Sequence, residues 1–226
     1  MIRKYAMRRS IAAVLIAGIA FAAYVAARQA ISDFFVQSAS LEIASWSQPG
    51  RKFRGDEFLR AGKSIDRSLQ TAPASAWALE ERGALQLREM QNATDPQVAM
   101  AAARASYVNF RKSLLQRPTS PFAWANVAMA KLYLGEIDDE LFYALARSAE
   151  MGPWEPQPQL RALFVGFGVW NNASVPQREM ILAIRDRAMT RNAEQVIELA
   201  RRFDRLDLVC DKMTSKSGKP CPRAPA

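Results

Sequence analysis

The longest uninterrupted apolar pattern runs from Ile11 to Ala27, seventeen residues without a charge. At about 1.5 Å per helical residue it extends roughly 26 Å, close to a hydrocarbon core once the Arg28 and Gln29 stems reach the interface. Residues 11–27 therefore predict a single transmembrane helix. Arg3, Lys4, Arg8 and Arg9 precede it, and no acid occurs among the first thirty residues. That asymmetry keeps residues 1–10 in the cytoplasm and exports everything after the span. A cleaved signal peptide ending at Val25-Ala26-Ala27 is the alternative, although the apolar run exceeds the usual length of one. Either way the remainder is exported.

After the span, Ile31 to Trp46 keeps helical content until Ser47-Gln48-Pro49-Gly50 stops it, so residues 28–54 read as a membrane-proximal helix and linker. From Asp56 the chain is rich in Ala, Leu, Arg and Glu, with no strand alternation, and is broken at Pro73, Pro96, Pro118, Gly135, Pro153 and Asn171–Pro176. Helices of ten to sixteen residues joined by short turns predict an all-α fold of helical hairpins.

The hairpins repeat. A cation, a serine, an apolar or small residue and, four positions on, a proline recur as Arg67-Ser68-Leu69 with Pro73, Lys112-Ser113-Leu114 with Pro118, and Arg147-Ser148-Ala149 with Pro153. Three residues before each serine stands a large apolar one (Ile65, Phe110, Leu145), and seven before it stand Ala61, Ser106 and Leu141. A second pattern, Ala123-Trp124-Ala125 followed by Val127-Ala128 and Gly135, is echoed by Ala76-Trp77-Ala78 followed by Gly83. These patterns resemble the tetratricopeptide repeat, with Lys131 standing where the consensus has tyrosine. Residues 55–157 thus predict divergent repeats of a solenoid and residues 158–210 its capping helices. The stripes Met180/Ile184/Met189 and Val196/Leu199/Ala200/Phe203 belong to the core, and 211–226 is a tail.

Charge changes little once it is placed along the chain. Of the formal +9, residues 1–30 hold five cations and the tail a further +3, while 22 cations face 21 acids between Ile31 and Cys210. The folded part is nearly neutral, which argues against nucleic acid as a partner. The chain has no histidine, so the commonest metal ligand and neutral-pH base are missing. Gly135-Glu136-Ile137-Asp138-Asp139-Glu140 lacks the alternating ligands of a calcium loop and reads as helix capping. No serine lies in a Gly-x-Ser-x-Gly turn, and Lys63-Ser64 and Lys112-Ser113 carry no pocket signal. The expectation is a protein that is not an enzyme and uses no cofactor or metal. Cys210 and Cys221, both on the exported side, predict a disulfide.

Pro153-Trp154-Glu155-Pro156, Gly166-Phe167-Gly168-Val169-Trp170 and Ala200-Arg201-Arg202-Phe203-Asp204-Arg205-Leu206-Asp207-Leu208-Val209-Cys210 resemble small tetratricopeptide-like, membrane-anchored accessory proteins of bacterial exopolysaccharide and O-antigen-type clusters. The resemblance covers mainly Pro118 to Cys210. It implies a non-catalytic protein of the bacterial inner membrane, with its domain in the periplasm and other envelope proteins as partners. An accessory subunit held to another complex through its span is one alternative; an envelope carbohydrate-binding module or enzyme is another. The repeat register puts Glu80, Arg88, Met129 and Tyr133 on the candidate interaction groove, and a small-molecule ligand is not expected.

Overall fold

A computed structural model describes residues 2–46 and 55–210, with side chains from Ile11 onward. All regular structure among the described residues is helical: α1 (Ile2–Ser45), α2 (Gly55–Thr71), α3 (Ala76–Asn92), α4 (Pro96–Gln116), α5 (Pro121–Tyr133), α6 (Asp139–Met151), α7 (Pro156–Gly168), a 3-10 turn (Trp170–Asn172), α8 (Val175–Met189) and α9 (Ala193–Arg202). The chain divides into two compact units, one ending at Arg82 inside α3 and one beginning at Gly83.

In the first unit the predicted span and the membrane-proximal helix are one element. Between Gly18 and Pro49 there is neither glycine nor proline, so nothing interrupts α1 over its 44 residues, about 66 Å. Its apolar part is long and hydrophobic enough to cross a membrane, and side chains from Ile11 to Ala27 are all exposed. Burial starts at Ser32 and then recurs with spacings of four and three at Val36, Ala39, Ile43 and Trp46. That stripe meets Glu57, Ala61, Ile65 and Ser68 of α2. The pairing is antiparallel: Ser32 Oγ lies 2.7 Å from Ser68 Oγ, Arg60 bridges to Glu42 at 3.0 Å, and Trp46 stacks on Phe58 at 6.3 Å. Small side chains at Ala39 and Ala61 let the helices approach. The two buried serines satisfy each other, which removes the cost of hiding two hydroxyls.

The serine-proline pattern has one local structure in all its copies. Ser68, Ser113 and Ser148 are buried, as are Ile65, Phe110 and Leu145 three residues before them. Each serine carbonyl accepts the N–H four residues on, from Ala72, Arg117 and Gly152 at 2.8, 2.9 and 3.0 Å. The carbonyls of those residues then accept from Ser75, Ser120 and Glu155 at 3.0, 3.2 and 3.2 Å, and the next helix begins. Proline sits inside the turn, where it has no N–H to lose.

This turn sets a register that differs from the tryptophan echo. With Ser75 matched to Ser120, the residue matching Trp124 is Leu79, not Trp77, and Gly83 matches Ala128. Trp124 Nε1 donates to the turn carbonyl of Pro118 at 2.8 Å, and the Gln159 amide reaches Pro153 in the same way, whereas Trp77 donates within α3 to Glu81 at 3.3 Å. A Cβ on Gly83 would lie 2.7 Å from the Phe110 ring, so only glycine admits that ring.

In the second unit α5 packs on α4, α6 and α7, and α7 on α5, α6, α8 and α9. The core runs through Phe110, Val127, Leu141, Leu145, Leu163, Phe167, Ile181 and Val196. The first of the helices after residue 158, α7, ends at Gly168, where a 3-10 turn leads into α8 behind a Ser174/Gln177 capping box. Gly166 lets Ile181 of α8 come within 3.0 Å of where its Cβ would be.

Candidate functional site

Helical periodicity builds an open groove on the second unit. On α7, Leu160, Arg161 and Phe164 share a face, and on α9 Gln195, Glu198, Leu199 and Arg202 follow the i, i+3, i+4, i+7 spacing. Together with Met129 of α5 they line a groove of about 420 Å³. The opposite stripe of α9, Val196 and Ala200, is buried, which fixes the helix's rotation and presents the lining residues outward.

The floor is apolar and the rim is charged. Met129, Leu160, Phe164 and Leu199 are half-buried. Phe164 meets Phe203 edge-on at 5.0 Å, and the Arg202 guanidinium lies 5.0 Å above the Phe164 ring. Arg161 Nη1 donates to Oδ1 of the buried Asn126 at 2.7 Å, which pins that guanidinium between α5 and α7. Glu198 is paired with Arg201. The rim therefore offers more positive than negative charge.

Of the residues placed on the groove by the repeat register, Met129 lines it. Arg88 and Tyr133 are half-buried elsewhere in the second unit, Tyr133 accepting a hydrogen bond from Gln91 at 3.3 Å, and half-buried Glu80 belongs to the first unit. Leu160, Phe164, Leu199, Arg161 and Arg202 carry no groove signal in the sequence, because helical spacing makes their apolar positions look like core and their charges like solvated helix surface. Cys210 is half-buried just beyond α9, and Cys221 lies outside the described residues.

In the turn after α5 and the start of α6, the acidic cluster has a structure that capping alone does not describe. Asp138 caps α6, accepting from Leu141 N at 3.1 Å. Gly135, at φ 71°, turns the chain so that Glu136, Asp138 and Glu140 all reach Lys131 Nζ, at 3.2, 2.9 and 3.0 Å. The Lys131 side chain is only 4% exposed. From α4, Tyr107 Oη donates to Glu140 at 2.8 Å, Arg104 pairs with Glu136 at 2.6 Å and Arg111 with Glu140 at 3.4 Å. Lys131 is thus the hub of a clamp joining α4, α5 and α6.

Burial works against the Lys131 charge, but hydrogen bonds to Asp138, Glu140 and Glu136 outweigh it and raise its pKa well above the ordinary 10.5. Arg104 and Lys131 hold Glu136 below its ordinary value. For Asp138 burial opposes ionisation and the Lys131 bond prevails; for Glu140 the bonds from Tyr107 and Lys131 prevail over burial. The clamp holds one stably charged ammonium and three stably charged carboxylates, an arrangement suited to structure rather than proton transfer.

The signs give a stability window. The carboxylates' lowered pKa values stabilise the fold above their ordinary 3.8–4.5 and stop doing so as pH falls through the folded values. The raised lysine pKa stabilises below 10.5 and is lost as pH rises through its folded value. Lys131→Met should cost about 2–4 kcal/mol, because it removes the buried cation that three carboxylates share and leaves Glu136 and Glu140 only their arginines. It should also flatten the acid side of the stability–pH curve. Thermal unfolding of the full chain in detergent across pH measures both effects; a variant as stable as wild type would contradict the clamp.

Comparison of the chain with protein-family models, with curated proteins and with solved structures returned no match.

Proposed function

We propose that the protein is a non-catalytic adaptor held in a bacterial inner membrane by α1, with its N-terminus in the cytoplasm and a tetratricopeptide-like domain in the periplasm. It holds other envelope proteins together during assembly or export of a surface polymer. The observation that carries this reading is the continuity of α1, which joins an exposed apolar stretch from Ile11 to Ala27 directly to a buried, paired stripe from Ser32 to Trp46. The recurrent turn after Ser68, Ser113 and Ser148 supports the repeat reading. The groove's apolar floor and charged rim suit a protein segment. A sugar ligand would be served by bare aromatic faces, and among the described residues the one aromatic ring lining the groove, Phe164, lies under Arg202.

A second reading, an accessory subunit docked through α1, draws on Ile31, Phe34 and Leu41, which are 49%, 71% and 63% exposed outside the stripe that meets α2. Both readings place the cysteines in an oxidising compartment, where Cys210 and Cys221 form a disulfide worth about 2–3 kcal/mol.

Affinity purification in mild detergent should recover other envelope proteins, and a reporter fused after Ala226 should be active only if it is a type that requires export. A chain that purifies alone from several detergents and turns over a glycan or peptide would contradict the adaptor reading. Substitutions at Phe34 and Leu41 that abolish recovery, while groove substitutions leave it intact, favour the second reading. Thiol labelling of denatured, unreduced protein should yield no label; two labels per chain would exclude the disulfide.

A further inference from the structure

Building on the adaptor reading, we propose that the groove between α5, α7 and α9 receives a segment of a partner protein that combines large apolar side chains with acidic ones. The floor selects the apolar part: Met129, Leu160, Phe164 and Leu199 form a continuous surface, and methionine adapts to varied shapes. The rim selects the charge. Among the described residues Arg202 makes no ion pair and rests on the Phe164 face, and Arg161 is held in place by Asn126. Glu198 is already engaged by Arg201, so it does not cancel the Arg202 guanidinium. A carboxylate arriving beside an apolar side chain meets a planar donor poised on an aromatic ring.

Two stretches of this chain suit the groove poorly. Its tail carries Lys212, Lys216, Lys219 and Arg223 against Asp211, the wrong sign for this rim. Its acid-rich stretch, Gly135 to Glu140, spends Glu136, Asp138 and Glu140 on Lys131 and on the arginines of α4. Charge complementarity with the arginine rim is what assigns the groove to an acidic segment of a different protein.

Short fluorescent peptides and the full-length chain in detergent micelles test this by anisotropy. One peptide carries Leu and Phe with Asp and Glu, a second the same apolar residues with Lys and Arg, and a third the acids with serine in place of the apolar residues. Saturable binding is expected for the first only, weakening as salt rises. Arg202→Glu should weaken it about tenfold and admit the basic peptide. Arg202 is exposed, so unchanged thermal unfolding of the variant confirms an intact fold. Equal binding of the acidic and basic apolar peptides, no binding at millimolar concentration, or an Arg202→Glu chain with unchanged affinity would overturn the proposal. Envelope proteins that still co-purify with Arg202→Glu as with wild type would overturn the groove assignment and leave the adaptor reading standing. Loss of co-purification from wild type itself would overturn the adaptor reading.

Discussion

Within α1 an exposed apolar stretch passes directly into a packed stripe, and the first unit is organised by where that change falls. Val25 is exposed and apolar, while Ser32, seven residues later, is fully buried against α2, an axial separation of about 10 Å. The helix therefore has no free linker between its apolar stretch and its packed stripe. Arg28 occupies the boundary and donates its guanidinium to the carbonyl of Thr71, one of the free carbonyls at the end of α2. In the proposed membrane-bound state this places the end of α2 within a turn or two of the lipid surface, and the hairpin stands on the membrane rather than swinging from it.

The second unit relies on a different economy. Its α5 is short and almost wholly buried, with Trp124, Asn126 and Lys131 among the polar-tipped residues it hides. Each meets a specific partner: a turn carbonyl, the Arg161 guanidinium and the three carboxylates. Burying such groups without partners costs several kcal/mol apiece, so these bonds fix how α4, α6 and α7 sit around α5. The groove follows from that arrangement, since Arg161 is aimed by Asn126 and Met129 lies on the same helix.

The helical class, the hairpin breaks and the serine-proline turns were legible in the chain because they are local: periodicity, proline and a buried serine act within a few residues. The tryptophan echo misled for a physical reason. The turn carbonyl needs a long donor, which tryptophan supplies at 124 and glutamine at 159, so side-chain identity is a poorer guide to register than the turn itself. The Lys131 clamp was hidden because its acids lie five, seven and nine residues on, and only the left-handed Gly135 brings them back to α5. The groove needed α9 laid against α7, a long-range fact that spacing alone does not carry.

The apolar stretch and the packed stripe of α1 are one unbroken helix. Spin labels at Ala20→Cys and Ala44→Cys, both exposed positions, with Cys210 and Cys221 replaced by serine, report it directly in lipid nanodiscs. A straight helix predicts a narrow distance distribution near about 36 Å for the backbone separation. A broad or much shorter distribution would show a hinge near Arg28 and contradict the account.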